Sequence, residues 1–331
     1  MNRRTFVQKS VLTGSAMMLP AILKAQTGTS IRVGIIGLDT SHAPAFAKLF
    51  NSGKPGFEGF TVVAAYPKGS EDIPSSIERI PEYTATIKSL GIEITNSVQE
   101  LLKKVDVVLL ETNDGRPHLN QALEVIKAGK PVFIDKPVAG SLRDAIRIYS
   151  EAEKRRVPVF SSSALRYIKT AQQVRYENKI GKVLAADTYS PATTEPHHPD
   201  LFWYGIHGVE TVFTVMGPGC ESVTRISTAE TDIVVGKWND GRLGTFRGTR
   251  SGQHDYGGFA FGSESNLSLG TFEGYEPLAL KIADFFKSGI APVSSAETLE
   301  IYAFMEAADE SKRRNGAAVL LSEVMKTNAV K

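Results

Sequence analysis

Apolar residues fall into unbroken runs in the first half of the chain and into alternating runs in the second, and the change divides the sequence in two. Residues 31–36, 60–66, 105–110, 132–134 and 157–160 are apolar without alternation, the pattern of parallel strands buried on both faces. Between them, 43–50, 87–90, 98–103, 119–128 and 142–155 carry apolar positions at helical spacing. Strand and helix alternating in this way predict a doubly wound parallel sheet. Gly91 and Gly129 follow two of these helices, where a residue able to turn left-handed ends a helix without strain.

Past Ser163 the rhythm changes. One helical stretch, 165–178, precedes β-rich runs at 183–189, 221–228, 231–238, 242–249 and 257–269, and Asn239-Asp240-Gly241 is a strong hairpin signal between two of them. Helical patterns at 276–287 and 296–313 close the chain. The predicted architecture is α/β plus α+β: a Rossmann-like doubly wound parallel sheet over 29–162, then a mostly antiparallel sheet domain over 163–331 for substrate and oligomerisation. The helix near 296–313 is expected to pack back on the first domain. Val223, Ile226, Val234, Trp238 and Phe246 are expected on an open sheet face that needs cover, which predicts a homo-oligomer, a dimer or tetramer.

The N-terminus reads differently from the rest. Arg3-Arg4 and Phe6 lead into the uncharged stretch 10–23 and then Lys24-Ala25, which resembles a twin-arginine export signal over residues 1–25 with periplasmic or otherwise exported delivery. So short an apolar run does not favour a membrane anchor. Removing it takes four of the 38 basic residues and no acid, leaving 34 against 36 acidic residues, a net charge of −2. That balance leaves no basic footprint for nucleic acid, and the single cysteine, Cys220, excludes an intrachain disulfide framework.

Candidate chemistry gathers where the predicted parallel strands end. The first strand runs into Gly37-Leu-Asp39-Thr40-Ser41-His42. Set against a G-x-G-x-x-G dinucleotide turn, it keeps the first glycine and puts Asp39 and His42 at the other two. A plain strand-to-helix turn is the competing reading, and Asp39 repels a pyrophosphate unless it turns away. Thr40, Ser41 and the helix start remain candidate phosphate donors. The second strand ends without the acidic residue that holds an NAD ribose, while Lys68 and Ser70 follow; this tilts the cofactor toward NADP rather than NAD. Later strands run into Thr112, Asn113 and His118, and into Asp135-Lys136-Pro137, at the edge where doubly wound sheets bind ligands.

These segments resemble the glucose-fructose oxidoreductase and inositol dehydrogenase (Gfo/Idh/MocA) family. Thr112-Asn113 and His118 are similar to its Thr-Pro-Asn-x-x-His segment, lengthened and without the proline. Asp135-Lys136-Pro137 is similar to its Glu-Lys-Pro signature, and the stretch to Arg166 to the one whose arginine faces nicotinamide and substrate. Gly181-Lys182-Val183 matches the entry into the second sheet, and His207 falls on the histidine of Asp-x-Gly-x-His, with Trp203 in place of the aspartate. The resemblance implies an NAD(P)-dependent oxidoreductase acting by hydride transfer on a sugar, polyol or glycoside, with Lys136 holding the reacting oxygen and His207 moving its proton. Implied cofactor contacts are Gly37, Asp39, Thr40, Ser41, His42, Lys68, Thr112, Asn113, His118, Asp135, Lys136 and Arg166. Implied substrate contacts are Lys136, Arg166, His197, His198, Trp203, Tyr204 and His207.

Other readings stay open. His197, His198, His207 and Glu210 invite a metal, but they lack tight ligand spacing, and no metal is assigned. An exported carbohydrate-binding protein on the same scaffold is the rival from outside enzymology; a redox-neutral lyase, epimerase or glycosidase using bound NAD is the rival within it. Export to a compartment without free nicotinamide favours a tightly bound, recycling cofactor.

Overall fold

In the computed structural model, residues 30–330 are described; the expected export signal lies outside them. The first domain alternates β1 (Ile31–Ile36), α1 (His42–Phe50), β2 (Phe60–Tyr66), α2 (Pro74–Ser89), β3 (Glu93–Ile94), α3 (Val98–Leu102), β4 (Val107–Leu110), α4 (Gly115–Lys127), β5 (Val132–Ile134), α5 (Leu142–Arg155) and β6 (Val159–Phe160). Its sheet is ordered β3-β2-β1-β4-β5-β6 with every pair parallel. The order reverses direction beside β1, so the crevice over β1 and β4 is the topological switch point at which such sheets hold ligands.

A short 3₁₀ turn at Ala164–Tyr167 leads into the second domain: α6 (Lys169–Tyr176), β7 (Val183–Pro191), α7 (Asp200–Trp203), α8 (Ile206–Met216), β8 (Cys220–Ser227), β9 (Thr231–Trp238), β10 (Leu243–Thr249), β11 (Gly257–Gly262), β12 (Asn266–Ser268), α9 (Glu276–Ser288), α10 (Ser295–Arg313), β13 (Val319–Leu320) and α11 (Leu321–Asn328). The sheet is ordered β12-β11-β7-β10-β9-β8-β13 and is antiparallel except where β10 pairs with β7. The expected hairpin joins β9 to β10, with Gly241 at φ 87°. Helix α8 is buried along its whole length, as an apolar helix must be when covered on all sides. Among the described residues, no helix is long and apolar enough to cross a membrane.

Three sequence expectations are corrected and one is extended. Helix α2 runs over 16 residues, not four, because its polar, proline-bearing sequence carries little apolar periodicity. The run 257–269 is two strands, β11 and β12, paired with each other. Val223, Val234, Trp238 and Phe246 are buried on the helix-covered face of the second sheet, and of the five residues expected outside only Ile226 is exposed. Helix α9 also reaches the first domain: Phe285 and Phe286 join Phe46, Phe50, Phe57, Phe60, Phe133 and Phe160 in one aromatic core. Helix α10 lies against β8 and α5, and its Tyr302 hydroxyl accepts the Val138 N–H at 2.5 Å.

A buried arginine ties the second domain together. Arg225 reaches Asp232 at 2.9 Å, Asp309 at 2.5 Å and Asp200 at 3.1 Å, and so joins β8, β9, α10 and α7. Removing one member of a buried charge cluster leaves its partners uncompensated, at about 3–5 kcal/mol. Arg225→Met is therefore expected to lower the denaturation free energy by about that amount, read from denaturant midpoints. A loss below about 1 kcal/mol, the scale of a surface ion pair, would contradict the assigned role.

Candidate active site

Gly37 ends β1 at φ 90°, and a Cβ there would stand 2.5 Å from the Thr112 backbone nitrogen and hydroxyl. The turn thus crosses β4 at a distance only glycine allows. Asp39 follows, wholly buried. Its Oδ2 accepts the Ser76 hydroxyl at 2.5 Å and its Oδ1 the Asn113 N–H at 3.0 Å, while Gly69 packs so closely that any side chain there would strike the carboxylate. Burial raises the Asp39 pKa against the pull of these hydrogen bonds.

In a dinucleotide turn the second glycine leaves room for pyrophosphate. Here Asp39 and the 67–76 loop fill that room. Arg116 adds a strap across the end of β2, reaching Asp72 at 2.5 Å and Asp114 at 2.6 Å. His198 docks on the same corner, its Nε2 accepting the Gly115 N–H at 3.1 Å. The residues at the adenosine and pyrophosphate end do not fit a dinucleotide laid along the crevice unless these contacts break.

Beside this corner lies a cavity of about 330 Å³ between the domains, at the small end of ligand sites. The first domain supplies Thr40, Ser41, His42, Asn113, Asp135 and Lys136, and α2 adds Ser75, Arg79 and Tyr83. The second closes it with Trp203, Tyr204, His207, Tyr256, Phe272 and Tyr275. Lys136 is buried, its ammonium 5.7 Å from the centre of the Tyr204 ring. Among the described residues, no carboxylate lies within ion-pair distance of it. It is a desolvated cation facing space where a substrate oxygen would sit.

His207 stands in the first turn of α8, its Nδ1 2.7 Å from the Ser163 hydroxyl. Burial first, then the Lys136 charge, hold its pKa well below the ordinary value, so the ring is neutral. Ser163 Oγ also accepts the Leu165 N–H at 3.1 Å. If the Ser163 hydroxyl donates to Nδ1, the proton sits on Nε2 and can be given; if Nδ1–H donates to Ser163, Nε2 is a base. The ring can therefore work in either direction.

His42 Nδ1 lies 2.7 Å from Asp135 Oδ2 and 3.9 Å from Glu111 Oε2. Glu111 is completely buried, and its pKa is raised well above the usual range by burial and by the charge of Asp135. Burial alone would raise Asp135 as well, but His42 and Lys136 hold it below the usual range. Adjacent carboxyls driven apart in this way are common at functional sites.

Of the residues expected from sequence, Thr40, Ser41, His42, Asn113, Asp135, Lys136, Trp203, Tyr204 and His207 line the cavity. The others do not. Arg166 is a structural node, paired with Glu210 at 2.5 Å and Glu297 at 2.8 Å. His118 sits between the Thr112 and Pro137 carbonyls at 2.7 and 2.8 Å and clamps two loops. Thr112 bonds Gln121, and Gly37 and Asp39 shape the turn. Lys68 lies exposed at the strapped corner, and His197 is on the surface beside Glu195. His197, His198, His207 and Glu210 are held by separate partners and form no metal site; Glu210 belongs to Arg166. Sequence reading missed α2, Tyr256, Phe272, Tyr275 and Glu111. Glu111 carried the same signal as Asp135, a charge directly after a buried strand.

The neutral state of His207 has a consequence for stability. Below about pH 6.5 the unfolded chain protonates this histidine while the folded protein does not, so the unfolded state binds more protons. The contribution is complete above about pH 6.5 and is lost as pH falls toward the depressed folded value. The melting temperature of the parent protein is expected to fall more steeply from about pH 7 to 5 than that of His207→Gln, with His118 acting equally in both. Parallel curves would show that His207 is not held neutral.

Residues 31–163 match the family model described as "Oxidoreductase family, NAD-binding Rossmann fold". A 1,5-anhydro-D-fructose reductase from Ensifer adhaerens is 33% identical over 128 residues, 37% of this chain. The match spans only 38% of that reductase's length. Over the whole fold, a probable dehydrogenase from Thermotoga maritima superposes with a TM-score of 0.71 at 21% identity, covering 89% of this chain and 100% of that one. The scyllo-inositol dehydrogenase of Lactobacillus casei, solved with NAD(H) and scyllo-inositol, gives 0.71 at 15% identity over 89% and 100%. Residues 31–163 thus match the model of the Rossmann domain of Gfo/Idh/MocA oxidoreductases, in a chain whose two-domain fold is similar to that of these solved dehydrogenases.

Proposed function

We propose that this protein is an exported oxidoreductase acting on a sugar, polyol or glycoside in the interdomain cavity. One observation carries the reading: an unpaired, desolvated Lys136 ammonium and a neutral His207 face the same small space at the switch point of a Rossmann sheet. Lys136 favours negative charge on the reacting oxygen, and the low dielectric around it strengthens that effect. His207 takes the hydroxyl proton through Nε2 and returns it in the reverse direction, with Ser163 rotating to match. Tyr204, Trp203 and Tyr256 offer ring faces and hydroxyls suited to a polyhydroxylated ligand. A nicotinamide cofactor would supply the hydride acceptor once the Asp39 and Arg116 contacts at the far end of the crevice open, and Thr40, Ser41 and Asn113 are the cavity groups nearest to where it would enter. Lys68, at the end of β2 where no acid takes a ribose hydroxyl, favours NADP over NAD.

A second reading rests on Asp39. Its carboxylate and the Arg116 strap close the pyrophosphate end, which favours a redox-neutral reaction using only the proton chemistry of Lys136 and His207. The two readings part on one measurement. If folded protein is exported with its cofactor, mass spectrometry of the denatured native protein finds NADP or NAD. Absence of any nucleotide, together with no binding in titration, overturns every nicotinamide-dependent reading, the redox-neutral one with bound NAD included, and leaves a nucleotide-free reaction or carbohydrate binding.

Lys136→Met is expected to reduce turnover by about 10²–10³ and His207→Ala by about 10²–10⁴, both with the fold intact by circular dichroism. Substrates come from a panel of aldoses, polyols and glycosides, followed by nicotinamide absorbance and by product chromatography. Full turnover in either variant would remove that residue from the mechanism, and ligand binding with no turnover in the parent would point to a carbohydrate-binding protein. The outer face of the second sheet, with Ile226, Leu243 and Phe259 exposed, is the surface through which copies would pair. Multi-angle light scattering is expected to give a dimer or tetramer, and a monomer at high concentration would exclude this.

A further inference from the structure

We propose that His42, Glu111 and Asp135 bind a first-row divalent metal ion, Zn²⁺ or Mn²⁺, in the wall of the interdomain cavity. The three residues come from the start of α1 and the ends of β4 and β5, and one ligand atom from each lies within 4.8 Å of the others. Ligand atoms around such an ion, at bonds of about 2.0–2.2 Å, stand roughly 3–3.5 Å apart. The observed separations of 2.7 and 3.9 Å from His42 Nδ1 bracket that spacing. Small opposite shifts of one imidazole edge and one carboxylate would complete the geometry.

The stronger argument is what these atoms lack. His42 Nδ1, both oxygens of Glu111 and Asp135 Oδ2 are sealed from solvent, and none has a hydrogen-bond partner. His42 Nδ1 and Asp135 Oδ2 have only each other, 2.7 Å apart. A buried polar atom without a partner is costly and rare, and four of them converge here. A protonated Glu111 donating to Asp135 would relieve two of them, yet no hydrogen bond links these carboxyls. A cation relieves all three side chains at once. The remaining oxygen of Asp135 is fixed by the Lys136 N–H at 2.8 Å, and the His42 ring is held edge-on to Tyr275 at 4.5 Å. These are supports of the kind that orient metal ligands.

One imidazole and two carboxylates make three protein ligands, the number that leaves a position open in catalytic sites, and mixed nitrogen and oxygen donors suit Zn²⁺ or Mn²⁺. His42 and Asp135 line the cavity whereas Glu111 is sealed behind them. An ion held by these atoms would sit in the wall of the cavity that Lys136 and His207 also line. This inference does not depend on the nicotinamide reading.

The test uses the full chain, purified without a histidine tag, stripped with chelator, then dialysed against Zn²⁺ or Mn²⁺ and counted by inductively coupled plasma mass spectrometry. About one ion per chain is expected, with a rise in melting temperature on metal addition, because an ion that binds only the folded state stabilises it. Glu111→Gln and Asp135→Asn are expected to weaken binding by about 10–100-fold or more, while His197→Ala leaves it unchanged. A parent protein that takes up no stoichiometric ion of either metal overturns the proposal, as does a Glu111→Gln variant that binds as well as the parent. Should the variants fail to fold, the count on the parent decides. None of these readouts requires substrate or nucleotide.

Discussion

The buried carboxylate of Asp39 fixes the three loops on which the site depends. It accepts from Ser76 at the start of α2 and from the backbone of Asn113 after β4, while belonging itself to the turn after β1. In most sheets of this topology an external anion collects the donors at that edge. Here the chain supplies its own. With Asp39 in place, α2 is drawn over the edge of the sheet, so Ser75, Arg79 and Tyr83 become walls of the cavity. The crevice over β1 and β4 is thereby walled on one side, leaving a pocket of about 330 Å³.

The treatment of buried cations separates structure from chemistry. Arg166 is matched by Glu210 and Glu297, and Arg225 by Asp232 and Asp309; such pairing offsets the cost of taking charge out of water. Lys136 is buried without a matching ion pair, one residue from Asp135, whose side chain is turned to His42 and to the Lys136 backbone. A cation left unpaired in a closed site is available to an incoming oxygen, and it costs stability until that oxygen arrives. Asp309, whose pKa burial pushes up to about 7, shows the same burial cost on a structural carboxylate.

Much of the fold was legible because strands buried on both faces have no polar alternation to confuse them: β1, β2, β4 and β5 all stand out as apolar runs. Helix α2 did not, since only Ser76 and Ile87 of its residues are buried and a helix that buries so little has no stripe to read. The faces of the second sheet were misread for a related reason. Strand alternation gives two faces but does not say which one the helices cover, so Val223, Val234, Trp238 and Phe246 could be assigned to the wrong side. At the site, Asp135 and Lys136 were legible as charges directly after a buried strand. Arg166 sits in a recognisable stretch, but its role is set by Glu210 and Glu297, 44 and 131 residues away in sequence. No local pattern carries that information.

The position of His207 shows how the second domain acts on chemistry that begins in the first. Helix α8 is buried on every side and has no solvent face on which to rotate, and Thr188 of β7 donates to the Gly208 carbonyl at 3.0 Å beside its first turn. A Cβ on Gly208 would collide with Phe246, so the helix rests on the sheet as closely as backbone permits. That contact fixes where His207 enters the cavity that Lys136 also lines. Tyr204 and Tyr256 then bracket the ring edge-on, at 5.2 and 5.9 Å, and Ser163 from the end of the first domain holds its Nδ1. The imidazole is thus positioned by the second sheet, tuned by a hydroxyl from the first domain and kept neutral by burial and by the neighbouring lysine. Any relative motion of the two domains would separate these influences, so proton transfer depends on the arrangement that holds Ser163, Lys136 and His207 together.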